Sequence, residues 1–467
     1  MSFEEQRLEE LCELVIDCPH STPKWTDKGF IVLRNQNIRK GILDLSTPSF
    51  TDEDGYKSRI KRAKPKADDI VFTREAPMGE VCLIPEGIEC CLGQRQVLLR
   101  ANNTVDPYYL FWALQSAYVQ HQISWNEGTG TTVSNVRIPV LKDLKIPRLG
   151  VAESWIAKTM TSLASKSQIN ERINQTLEQM AQALFKCWFV DFEPVKAKMA
   201  VLEVGGSQEE ATLAAMTAIS GKDADALVVF ERENPKQYAE LKVTAELFPS
   251  AMRESALGDV PEGWITGKLG DIIEFNPKRV LKKGNIASYL DMKNVPVTGH
   301  SAQDVIEREF SSGSKFRNGD TLLARITPCL ENGKTAYVDF LPTDEIVGWG
   351  STEFIVMRSK KRLPLSLSYF FARLDSFRTI AIQSMQGTSG RQRADASVLE
   401  QHVWILPPNG VLQKFGTFSD FILDGNRSRN TENKSLAQLR DTLLPKLLSG
   451  EITLPEAEQA VSEVEHV

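Results

Sequence analysis

Nine positions spaced alternately three and four residues apart define a heptad seam within residues 156–191: Ile156, Thr159, Leu163, Lys166, Asn170, Ile173, Leu177, Met180 and Leu184. Adding 259 to each number gives Phe415, Phe418, Ile422, Gly425, Arg429, Glu432, Leu436, Leu439 and Leu443. Six of the nine are apolar in each set, and the polar interruption at Lys166 and Asn170 returns at Gly425 and Arg429. The same amphipathic helix with the same soft centre, met twice at one offset, is the mark of an internal duplication, and the fold must be a two-fold repeat.

At 467 residues the chain exceeds one ordinary core, so two globular units with connecting helices are expected. The apolar fraction of 42% and charged fraction of 25% are those of a globular protein. No apolar run approaches the length of a membrane span, and the opening MSFEEQRLEE is acidic where a signal peptide would be basic, so no membrane association and a cytoplasmic location are expected. The seven cysteines form no C-x-x-C pair and the five histidines are scattered, which argues for reduced structural thiols and no metal site. A net charge of −6 does not advertise nucleic-acid binding, but binding requires only a local basic face.

Residues 1–150 read as a mixed α/β unit: a short helix over Glu4–Ile16, strands in GFIVLRNQNI, DDIVFTREAPMGEVCLI and RQVLLR, one aromatic helix after Asp106-Pro107, and a Gly/Thr loop at Asn126–Asn135. Residues 259–410 repeat the plan. Asp69, Arg74 and Pro77 match Asp320, Arg325 and Pro328 at an offset of 251, VLLR (97–100) matches IVMR (355–358) at 258, and LFWALQS (110–116) matches FFARLDS (370–376) at 260. Drifting offsets are what insertions in surface loops produce. The first long helix (151–195) is followed by a connector of short helices (196–258) that Pro194 introduces, and the second (411–450) by an acidic tail (451–467). Each helix alone would leave its stripe in water, so the two should bury their stripes on each other. Antiparallel pairing, with Lys166 and Asn170 opposite Gly425 and Arg429, suits a pseudo-two-fold repeat. The seam spans roughly 43 Å at about 1.5 Å per residue, slightly more than one turn of duplex DNA, about 34 Å.

The central INQTLEQMAQALFKCWFVDFEPV (173–195), its counterpart LAQLRDTLLPKLLSGEI (436–452), GDVPEGWITGKLGDI (258–272) and DCPHSTPKW (17–25), together with the repeat, make the chain resemble the specificity subunits of Type I restriction-modification enzymes. The resemblance implies an α+β architecture: two tandem mixed α/β target-recognition domains separated by two long helices that form an antiparallel coiled coil. Each domain would read one half of a bipartite double-stranded DNA target. Two modification subunits using S-adenosylmethionine would methylate adenine, and restriction subunits using ATP and magnesium would translocate and cleave. The chain itself would be non-catalytic and hold no cofactor. The alternative is a two-domain scaffold that organises protein partners on a helical rod without DNA.

Near-motifs for chemistry fail on their own terms. Asp106-Pro107-Tyr108-Tyr109 lacks the second proline of an adenine-methyltransferase D-P-P-Y motif. Gly333-Lys334-Thr335 has Pro328 where a phosphate-binding loop needs glycine, and Gly128-Thr129-Gly130 lacks the third glycine of a dinucleotide fingerprint. Cations are better candidates, because each phosphate they neutralise makes binding salt-sensitive. Lys57, Arg59, Lys61, Arg62, Lys64 and Lys66 form a run without an acid; Lys278, Arg279, Lys282 and Lys283 form a second cluster, and Arg391, Gln392 and Arg393 a third. Gln94, Arg95 and Gln96 could pair with base edges, and the loop residues Thr129, Thr131 and Thr132 could approach a groove.

Overall fold

The computed structural model describes residues 4–125, 135–387, 392–449 and 451–465. They form two compact units, Met1–Ile169 with Thr431–Val467, and Asn170–Asn430.

The first unit contains β1 (Cys12–Asp17), β2 (Trp25–Thr26), β3 (Phe30–Leu33), β4 (Ser49–Thr51), β5 (Ile70–Thr73), β6 (Val81–Leu83), β7 (Cys90–Leu92) and β8 (Gln96–Ala101). One antiparallel sheet has the order β1-β8-β5-β6; a second, β7-β3-β4-β2, includes a parallel β7–β3 pair. The continuous apolar runs IVFT and QVLLR follow from the place of β5 and β8 between two cores. Ile70, Phe72, Val97 and Leu99 point into one, Val71 and Leu98 into the other.

The second unit contains β9 (Ile273–Phe275), β10 (Ile286–Leu290), β11 (Ile306–Glu309), β12 (Ser314–Phe316), β13 (Thr321–Ala324), β14 (Thr335–Tyr337), β15 (Gly348–Gly350) and β16 (Phe354–Ser359). Its antiparallel sheet β9-β16-β13-β14 repeats the first in order and sense, and its second sheet, β11-β10-β15-β12, keeps the parallel pair as β10–β15. An ion pair is duplicated too. Arg100 Nε meets Asp69 at 2.7 Å and Arg358 meets Asp320 at 2.6 Å, while the backbone N–H groups of Lys66 and Arg317 donate to the same two carboxylates.

A central helix (Ala152–Phe189) and a distal helix (Asn409–Ser449) supply the repeat's long elements. In the first unit Ile156, Met160 and Leu163 share a core with Leu436, Leu443 and Leu447, and Lys166 Nζ lies 3.5 Å from Glu432. In the second unit the Asn174 side chain bonds Asn426 and Asn430, and Phe185 packs on Phe415 with centroids 5.1 Å apart. Numbers that rise along one helix fall along the other, so the helices are antiparallel in both units.

The seam differs in detail from the heptad reading. Leu177, Leu184, Phe418 and Leu439 are partly buried and Ile422 is buried, but Ile173 and Met180 are 40% and 53% exposed, and Asn174, Ala181 and Phe185 take the inner face. A straight helix drifts by about 20° per heptad from a strict 3.5-residue repeat, so a seam extrapolated over four heptads walks off the buried face. Lys166 therefore faces Glu432 rather than Gly425 or Arg429, and the polar centre is formed by Asn174, Asn426, Arg429 and Asn430.

Other expectations shift locally. Glu4–Ile16 is a strand (Glu4–Arg7), a single turn of helix (Leu8–Leu11) and β1, because β1 is claimed by the exposed edge of β8. The aromatic helix breaks at Ser116, whose backbone is extended, into Pro107–Gln115 and Ala117–Trp125. The connector forms four helices, Glu193–Glu203, Gln208–Ser220, Ala224–Glu233 and Pro235–Glu246, the last three closing on Ala215, Met216, Leu227 and Ala245. The C-terminal acidic stretch is a helix, Leu454–Glu465, with Ala457 buried in the first unit's core.

One polar cluster ties the second domain to its helices. His300, 2% exposed, has Nδ1 3.2 Å from Glu178 on the central helix and Nε2 3.3 Å from Asp339. Tyr369 donates to Glu178, Arg373 donates to the Tyr369 hydroxyl at 3.0 Å, and Asn430 of the distal helix donates to Ser301 at 2.5 Å. Burial pushes the imidazole pKa down, but the two carboxylates outweigh it and hold it at about 9.

Candidate nucleic-acid interface

In the first unit the basic run divides by role. Arg59 is buried; its guanidinium donates to the carbonyls of Leu92, Gly93, Ser21 and Pro19 at 2.6–3.1 Å, and burial lowers its pKa. It staples the N-terminal loop to the β7–β8 turn and cannot reach a phosphate. Lys57 pairs with Glu53 and Lys64 with Glu89, both at 2.6 Å, and Arg62 donates to the Asp17 carbonyl. Lys61 and Lys66 are exposed and engage no ion pair among the described residues. The Gln94–Gln96 triplet is similarly divided. Gln96 is fully buried and accepts from the Gly93 N–H, which removes it from base reading; Gln94 donates to the His20 carbonyl at 2.7 Å; Arg95 is exposed, with φ +66° and Glu75 at 3.6 Å. Thr129, Thr131 and Thr132 lie outside the described residues.

In the second unit Arg279 is turned inward onto Asp320 at 3.1 Å, and Arg393 is held by two-pronged contacts with Glu353 at 2.7–3.1 Å. The backbone carbonyl of Gln392 accepts from Thr327, and Arg391 lies outside the described residues. Lys278, Lys282 and Lys283 are exposed.

The strongest surface is one that sequence reasoning missed. Tyr289 and Trp349 face each other across the parallel β10–β15 pair, with Phe310 at 5.3 Å from Trp349. The Arg308 guanidinium stands 4.8 Å above Tyr289 and 5.7 Å above Trp349, and Lys315 Nζ stands 4.9 Å above Phe310. Backbone bonds Gly284→Phe310 and Phe310→Asn285 set Lys282 and Lys283 beside this cluster. Trp349 and Phe310 are themselves buried, so the rings act as a platform that holds Arg308 and Lys315 in place, and the cations are what a polyanion would meet. The cross-strand pair at the same place in the first unit is Val32 with Cys91, covered by Tyr56 and Ile60 of and just after the helix Glu53–Arg59. The sequence offered little signal, since Arg308 stands between Glu307 and Glu309 and Lys315 between Ser314 and Phe316, and nothing local showed that the rings of residues 289, 310 and 349 converge beneath them.

The family profile described as "Type I restriction modification DNA specificity domain" matches residues 2–179. The Type I restriction enzyme HindI specificity subunit of Haemophilus influenzae is 32% identical over 321 residues, 64% of this chain and 66% of that protein. The chain is similar to the Type I restriction-modification specificity subunits. The EcoEI specificity subunit of Escherichia coli is 30% identical over 41% of this chain and 34% of that protein, and the MjaIX subunit of Methanocaldococcus jannaschii is 22% identical over 86% and 82%. The matched stretch thus spans slightly under two thirds of the HindI relative and about a third of the EcoEI one. The Type I specificity subunit structure from M. genitalium covers 96% of both chains with a TM-score of 0.51 at 15% identity, a likeness of fold.

Proposed function

We propose that each domain of this specificity subunit reads one half of a bipartite duplex target. It thereby directs adenine methylation by two modification subunits and cleavage by restriction subunits in the cytoplasm. S-adenosylmethionine, ATP and magnesium act in those partners, and this chain contributes no catalytic group. The observation that carries the reading is the duplicated domain, joined to antiparallel helices, whose second copy exposes Lys282, Lys283 and Arg308, with the half-buried Lys315, around Tyr289, Trp349 and Phe310. The apolar side chains left outside the helix seam in the second unit, Ile173, Met180 and the 77%-exposed Phe421 of the distal helix, suit docking of a modification subunit. Co-expression with the modification subunits followed by methylation-sensitive sequencing should reveal one bipartite adenine motif with an undefined central gap. A methylome without such a motif would refute the reading.

A further inference from the structure

An open cavity of about 720 Å³ in the second unit is lined by Arg279, Arg358, Lys360, Lys361, Arg362 and a single acid, Glu274. Asp320, fully buried behind it, pairs with Arg279 and Arg358, which leaves three more cations than acids. Three further features set it apart from an ordinary solvated loop. First, Arg279 Nε is buried and has no hydrogen-bond partner, a donor left waiting. Second, the loop bearing the three exposed cations is tied down on both sides. Lys360 N–H donates to Ile272, Leu363 N–H to Lys360, the Ser359 hydroxyl to Leu365, and Gln413 of the distal helix to Arg362. Third, Arg362 holds φ +76°, a conformation that favours glycine, so the fold bears local strain to keep a guanidinium there.

The first domain offers no counterpart. Its corresponding loop after Arg100 reads Ala101-Asn102-Asn103-Thr104-Val105-Asp106, with no cation, and is two residues shorter. The feature is therefore not shared by the two copies. Through Lys278–Lys283 the cavity shares a loop with the aromatic patch.

We infer that this cavity is a phosphate-binding site and that its ligand is a backbone phosphodiester of the duplex beside the second half-site. The inference rests on the DNA-reading proposal and adds a contact that fixes position without reading sequence. The test uses the full chain in complex with its modification subunits and compares wild type with K360Q/K361Q/R362Q. On cognate and scrambled duplexes alike, affinity near 0.15 M salt should fall roughly 10- to 100-fold, and the slope of log K against log salt should flatten by about 2 to 3. The methylated motif should stay the same. R362G, which relieves the backbone strain, should leave thermal stability equal or higher yet flatten the slope by about 0.9. Unchanged slopes in both variants overturn the inference, as does a loss confined to the cognate duplex. A thermal shift by inorganic phosphate that the triple variant loses, with unchanged DNA slopes, would identify a free-phosphate site and overturn the duplex assignment. A wild-type complex that writes no bipartite motif would instead sink the DNA-reading proposal itself.

Discussion

Among individual side chains, His300 shows most directly how one group can decide where a domain sits. Unfolded, its imidazole titrates near 6.5; folded, between Glu178 and Asp339, it titrates at about 9. A raised pKa gives stability that is complete below the unfolded value and drains away as pH climbs through the folded one. The loss should run from about pH 6.5 to 9 and amount to on the order of 3 kcal/mol. Glu178 shifts the other way: burial raises its pKa, but His300, Tyr369 and Arg373 bring it below normal, so its contribution fails on the acid side. Thermal unfolding followed against pH should therefore show an alkaline decline in the wild type that H300Q flattens. An equally steep decline in H300Q would exclude the imidazole as its source. None of this was legible in the sequence, where His300 sits in a loop 122 residues from Glu178. The candidate DNA contacts show the same limit. Arg59 and Lys61 are two residues apart in one basic run, yet one is consumed by four carbonyls and the other faces water. Local charge patterning has no term for the backbone groups that tertiary structure brings up to a side chain.

For whole elements, periodicity served better. The repeated seam located both long helices and their mutual pairing, because hydrophobic spacing is imposed by helix geometry and survives divergence; the antiparallel sense came from the connectivity of the repeat, since the seam alone suits either direction. The seam placed Arg429 in the polar centre and Asn170 on the buried face, but missed that Asn174, one turn beyond Asn170, is the partner of Arg429, since the register is set by contacts between helices. There, Asn174 accepts from Arg429 at 2.6 Å and donates to Asn430 at 2.9 Å, while Arg429 donates to Asn426 at 2.7 Å. Removing one partner leaves a partly buried guanidinium short of an acceptor, so Asn174→Leu should cost about 1–3 kcal/mol. Adding Arg429→Leu should restore much of that loss, because the charge then goes with its acceptor. Additive losses in the double variant, measured by denaturant unfolding, would show that the cluster does not act as a unit. The short helices of the connector and the C-terminal helix were less legible, because their buried faces are only a few small side chains wide.

Considered as one molecule, the chain owes its proposed spacing function to helix length. Removing one heptad from each long helix shortens it by about 10 Å at 1.5 Å per residue, close to 3 base pairs of duplex at 3.4 Å. The methylated motif should then keep both half-sites and lose about 3 base pairs from its gap, or the complex should fall silent. The original motif written unchanged would remove the helices from the role of ruler. The duplicated domain plan was readable from matched segments, because strands that lie between two cores must be apolar on both faces and resist change. The second sheets, whose flanking strands differ between the copies, were not.

The duplicated ion pair, Arg100 with Asp69 and Arg358 with Asp320, also carries a date. What both copies possess existed before the gene doubled. What only one copy shows, such as the cationic loop at 360–362, marks where the halves parted after the doubling, by gain in one or loss from the other. The molecule thus separates into a scaffold common to both halves, which records their shared descent, and a layer in which the two halves differ and can take on separate duties.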